Sequence, residues 1–205
     1  MSNVSRETLD ILFYLSIMIN MKKKTRRLTE IAIFSALVVL LQVLATSINF
    51  GSFPITLTLI PIIVAGCVYG EGIGAFLGLV FGVVVSTMVI TGADPSGATM
   101  FSSHPIITVS TCLVKGTLAG YISALVYRKL KSNNEKVKVV IAAAMCPIIN
   151  TLTFYIALML FFDASLKALI GAFLSVNFVI ELLINILLAP GLTGLILRNK
   201  KRYEN

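Results

Sequence analysis

Six long apolar stretches, separated by short polar turns, are the feature that most limits what this 205-residue chain can fold into. They run roughly over residues 28–46, 55–69, 73–91, 105–127, 139–162 and 168–197. A bilayer core of about 30 Å takes about 20 apolar residues in a helix. Only 13% of the residues are charged and 57% are hydrophobic, whereas soluble domains carry about 25% charged residues. There is too little polar residue to cover a water-exposed surface. The expected fold is an all-α integral membrane bundle of six transmembrane helices. The second stretch is short and carries Pro54 and Pro61, and the sixth carries Pro190 and Gly191 near its end, so irregularity is expected at both.

Charge distribution sets the expected orientation. The net charge is +8, but the cations are clustered. Five lie in Lys22–Arg27, five in Arg128–Lys138 and four at Arg198–Arg202. With six spans, all three clusters fall on one face, which the positive-inside rule makes cytoplasmic, so both termini are expected inside. The opposite face receives residues 47–53, 92–104 and 163–167, with Asp94, His104, Asp163 and Lys167 as its ionisable groups. The clusters are not interleaved with aromatics, so nucleic acid is not an expected partner. Residues 9–20 are apolar but too short to span, and Met21 followed by Lys22-Lys23-Lys24 reads as a natural start. Residues 1–20 are therefore expected to be a non-native or disordered extension, with residues 21–205 forming one transmembrane domain.

Small residues mark the expected helix contacts, because in lipid they let backbones approach. Gly70, Gly74, Gly78 and Gly82 recur every four residues and continue into Ser86; Gly116, Gly120 and Ala124 repeat the device one helix later. Both stripes are expected to pack inside the bundle. Ala32 and Ala36 form a further small-xxx-small pair, suited by physics alone either to the bundle interior or to another subunit. Cys67, Cys112 and Cys146 each fall inside an apolar stretch with no metal or disulfide spacing, and read as small buried residues.

Polar side chains inside a span are costly and usually face the protein interior or a cavity. Lys115 sits near the middle of the fourth stretch, Asn150, Thr153 and Tyr155 in the fifth, and Asn177, Glu181 and Asn185 on one side of the sixth. Two roles suit Lys115 and Glu181. They form a buried ion pair that fixes packing, or they line a cavity open to the outside and act as ligands; the two are compatible if the pair opens when a ligand arrives. Asn49 to Pro54 form a short outer loop with two aromatics, and Gly92–His104 is expected to be a loop rich in small and polar residues, long enough to act as a lid. No phosphate loop, HExxH or GxSxG motif is present, so neither an enzyme nor a self-powered pump is expected. No cofactor or metal site is expected either. A stand-alone secondary transporter or channel for a small solute, and a structural membrane protein without a ligand, are the competing readings.

The chain resembles the substrate-binding (S) components of energy-coupling factor (ECF) transporters, the vitamin importers of bacteria. The resemblance covers roughly residues 21–202. It rests on the basic start, Ala32-x-x-x-Ala36, the stretch PITLTLIPIIVAGCVYGEGIG over Pro54–Gly74, the glycine-rich third span, and KGTLAGYISALVYRKL over Lys115–Leu130. It implies a multi-pass protein of the bacterial plasma membrane that captures a vitamin from outside. It further implies docking on a transmembrane coupling (T) protein and two cytoplasmic ATPases through the face holding Ala32 and Ala36. It places the ligand among the loop after span one and spans four to six, where the substrate-binding candidates are Asn49, Phe53, Lys115, Asn150, Thr153, Asn177, Glu181 and Asn185. Thr56-Leu57-Thr58-Leu59-Ile60-Pro61 stands where riboflavin-binding members carry an acidic stretch, and resembles the pantothenate-type branch more. Pantothenate is the expected ligand, with riboflavin or another vitamin as the alternative.

Overall fold

The computed structural model describes residues 25–45, 49–50, 53–54, 57–162, 164–165, 170–171 and 176–204. The expected extension over residues 1–20, the lysines 22–24, the start of the second stretch at 55–56, and Gly51, Ser52, Asp163 and Lys167 lie outside the described residues. Among the described residues the helices whose bounds are defined are α1 Thr25–Ala45, α2 Leu59–Tyr69, α3 Glu71–Thr91, α4 Pro95–Ser103, α5 Pro105–Lys129, α6 Glu135–Phe161 and α7 Val176–Glu204; residues 170–171 are also helical. Between α1 and α2, β1 (Asn49–Phe50) and β2 (Phe53–Pro54) pair antiparallel, with Asn49 opposite Pro54 and Phe50 opposite Phe53.

The chain divides into two units, Met1–Ile33 and Phe34–Asn205. The described part of the first is the opening of α1, where Arg26 Nε donates to Glu30 Oε1 at 3.0 Å.

Among the described residues, five helices (α1, α3, α5, α6 and the Phe178–Arg198 part of α7) are long and apolar enough to cross a membrane. The second stretch differs from expectation. Its helix has 11 residues, about 16 Å at 1.5 Å per residue, which is half a bilayer core. Pro61 is accommodated because it falls in the first turn, where a helix needs no backbone donor. Every residue from Leu59 to Val68 is buried, and α2 packs against α3, α5, α6 and α7. A helix that is apolar on all sides belongs at the centre of a fold, and α2 is the core of this one.

At Gly70 the chain turns from α2 into α3 with φ 101°, a backbone conformation that any side chain would strain. The contact between α3 and α5 follows from glycine. A Cβ on Gly74 would come within 2.5 Å of the Gly120 carbonyl oxygen, and one on Gly82 within 2.6 Å of the Cys112 carbonyl oxygen. Gly78 and Gly116 oppose each other in the same way. The pairs 74–120, 78–116 and 82–112 descend along one helix as they climb the other, so the two helices run antiparallel with backbones in contact. The expected internal role of both stripes holds. Cys67, Cys112 and Cys146 are free and buried, as their positions suggest.

The segment 92–104 is not a loop. Gly92 closes α3 in the left-handed conformation (φ 76°), Asp94 then caps a new helix by accepting from the Gly97 backbone N–H at 3.2 Å, and Pro95 occupies its first position. The expected loop is therefore helix α4, and the Asp94-Pro95 start signal accounts for it. The His104 ring meets Phe162 edge-to-face at 5.3 Å, tying the α4–α5 junction to the end of α6.

At the α5–α6 turn a charged cluster closes the bundle. Arg128 pairs with Glu71 of α3, Tyr127 Oη donates to Glu135 Oε2 at 2.7 Å, and Lys138 pairs with Glu135 at 3.1 Å while lying 4.8 Å over the Tyr127 ring.

Candidate functional site

Helices in lipid place their polar side chains inward, and α5, α6 and α7 do so toward one region. Lys115 projects from the middle of α5, and its ammonium lies over the Phe154 ring of α6, 4.6 Å from the centroid. Phe154 and Tyr155 meet edge-to-face at 5.6 Å. Glu181, on α7, is within electrostatic reach of Lys115 and of Cys146, one turn before Asn150 on α6. Lys115 and Glu181 are not joined in an ion pair: the cation rests on an aromatic face, and Glu181 Oε1 is buried with no hydrogen-bond partner. Of the two roles open to these residues, the buried ion pair is not formed in this structure, and Lys115 makes a cation–π contact with Phe154 instead.

The region is rich in unspent acceptors. Asn150 Oδ1, Glu181 Oε1 and Asn185 Oδ1 are each buried without a partner. Asn185 is 1% exposed, and its Nδ2 donates to the Glu181 carbonyl at 2.8 Å, which orients the side chain and leaves its oxygen free. A buried acceptor without a partner costs about 1–3 kcal/mol. One of the three lies on α6, whose Phe154 carries the Lys115 ammonium, and two lie on α7. Pro147, buried within α6, has no N–H to give the carbonyl four residues before it, which loosens the helix ladder one turn from Asn150.

The remaining candidates are placed as follows. Thr153 is partly buried on α6 between Asn150 and Phe154. Asn177 is in the first turn of α7, and Asn49 and Phe53 are in the hairpin; the side chains of these three lie outside the described residues. Ala32 and Ala36 of α1 are both exposed. The buried residues of α1 are Val38, Gln42 and Ala45, and Ala36 is about 160° around the helix from Val38 at 100° per residue. The helix thus turns one stripe inward and presents Ala36 outward.

Sequence reasoning missed Gln42, Thr58 and Thr193. Thr58 Oγ1 donates to Gln42 Oε1 at 2.9 Å, and Gln42 Nε2 reaches Met88 Sδ at 3.9 Å, a buried link from α1 across the hairpin segment to the start of α2 and to α3. Gln42 was detectable as an amide inside an apolar span. Thr193 is fully buried with its hydroxyl unpartnered; a lone threonine among leucines gives no signal in sequence.

A bundle of long apolar helices with a mid-helix cation and buried polar side chains is that of a membrane protein. The family described as ECF transporter, substrate-specific component, matches residues 26–193, and the chain belongs to that family. It is a transporter component and not an enzyme. The chain is also similar to the pantothenic acid transporter PanT of Lactococcus lactis subsp. cremoris (strain MG1363), at 27% identity over 183 residues covering 83% of this chain and 93% of the relative.

Proposed function

We propose that this chain is the vitamin-binding subunit of an ECF-type importer in the bacterial plasma membrane, and that its ligand is pantothenate. The observation that carries this reading is the set of buried, unpartnered acceptors on α6 and α7, with the Lys115 ammonium of α5 against Phe154 of α6. Pantothenate matches it group by group: a carboxylate for the ammonium, and hydroxyl and amide donors for the side-chain oxygens. The similarity to a pantothenic acid transporter supports the same ligand independently of the site. Lys115, Asn150, Thr153, Glu181 and Asn185 form the wall of the site in this reading, with Asn177 and the hairpin residues Asn49 and Phe53 closing its outer side.

The proposed topology is six spans with both termini in the cytoplasm and α2 as a short central crossing; the basic residues flanking α1, α5, α6 and α7 support it. The exposed Ala32 and Ala36 dock on the transmembrane coupling protein, which with two ATPases supplies the energy this chain has no motif to supply. Reconstitution tests the assignment. Proteoliposomes with the coupling module, ATP and this chain should accumulate radiolabelled pantothenate, and those with this chain alone should only bind it. Sustained, ion-gradient-driven uptake by the chain alone would establish a secondary transporter instead.

A further inference from the structure

The α5–α6 turn carries a groove that the solute site does not use. It has a volume of about 480 Å³ and is lined by Leu125, Val126, Lys129, Leu130 and Lys131. Its composition is split: three aliphatic side chains and two lysines. Two neighbouring cations are already engaged, Arg128 by Glu71 and Lys138 by Glu135 and the Tyr127 ring. Lys129 and Lys131 are exposed and have no acidic partner among the described residues. Lys129 and Lys131 supply the cations of the groove's lining.

Depth in the membrane gives this arrangement its meaning. Helix α5 is a candidate span that ends at Lys129, so Leu125 and Val126 sit one turn inside the boundary and Lys129 and Lys131 sit at headgroup level. An apolar trough one turn below two uncompensated cations is complementary to a phospholipid: acyl chain against Leu125, Val126 and Leu130, phosphate against the lysines. Basic pockets at this depth bind anionic headgroups. The negative end of the α5 dipole also favours lysines here, but that effect requires no groove. We propose that this groove is a binding site for one anionic phospholipid of the leaflet facing the α5–α6 turn.

The test is native mass spectrometry of the full chain, titrated in mixed micelles with phosphatidylglycerol or phosphatidylcholine. Phosphatidylglycerol should occupy one site and phosphatidylcholine should not compete. The double substitution Lys129→Gln and Lys131→Gln should weaken phosphatidylglycerol about 30-fold, the equivalent of about 2 kcal/mol at about 1 kcal/mol per lysine. Lys136→Gln, which removes a nearby exposed cation outside the groove, should change it less than twofold. Equal binding of the two lipids, an unaffected double variant, or an equal loss with Lys136→Gln would each overturn the proposal. So would a double variant that keeps its lipid but no longer assembles with the coupling module, since the groove would then be a protein contact. Unchanged melting temperature of the variants in lipid-free detergent shows that they are folded.

Discussion

Asn185 places stability and binding in opposition. Its Nδ2 is satisfied by the Glu181 carbonyl and its Oδ1 by nothing. Asn185→Leu keeps the volume close and removes the orphan acceptor, so the ligand-free protein should gain about 1 kcal/mol of stability while losing affinity for pantothenate; thermal melts with and without the vitamin read both quantities. A variant less stable in both states would make Asn185 a packing residue. Lys115→Ala should lower pantothenate affinity by about 1.5–3 kcal/mol, the range for a hydrogen bond to a charged group, as isothermal titration would show, with the fold retained. The polar residues of the proposed site were legible in the sequence, because a lysine, a glutamate or an asparagine inside an apolar run stands out against its neighbours. What stayed hidden was the partnership. Phe154 looks like any apolar residue until it lies under the Lys115 ammonium, and Thr193 has no periodic companion to announce it.

Helices α3 and α5 are joined at a distance that only glycine allows. Gly78→Val should therefore destabilise the protein severely, since its Cβ would enter the Gly116 backbone, whereas Gly72→Ala, with open space around it, should be neutral or slightly stabilising by helix propensity. Melting temperatures of the two variants separate specific packing from a general intolerance of substitution. The stripes were legible because a four-residue glycine repeat has few other uses in a span. Helix α4 was not legible as a helix: its small polar residues suit a loop, and the Asp94-Pro95 start decides otherwise. The length of α2 was also hidden, because an apolar run ending at Tyr69 does not state where its first helical turn begins. On α1, Ala36→Trp should abolish uptake by the complete importer while leaving pantothenate binding to the isolated chain intact. Lost binding would move Ala36 from the docking face into the solute-binding fold.

For the whole molecule, the sequence reads most clearly in its division of labour. Three basic clusters and few charges elsewhere describe a membrane protein, and the chain belongs to the ECF substrate-specific components. The proposed roles of the polar residues of α5, α6 and α7 and of the outward Ala36 divide solute binding from docking on an energy-supplying module. The choice of vitamin is less legible, because the site presents acceptors and one cation, and hydrogen-bonding chemistry of that kind narrows the ligand to a class. The most direct test is the thermal stability of the purified, ligand-free protein against a panel of vitamins at a thousand-fold excess over a trial dissociation constant. Binding to the folded state alone would contribute about 4 kcal/mol there. A large shift with pantothenate, and none with riboflavin, is the result predicted. A flat panel from folded protein, or a shift with riboflavin alone, would contradict it.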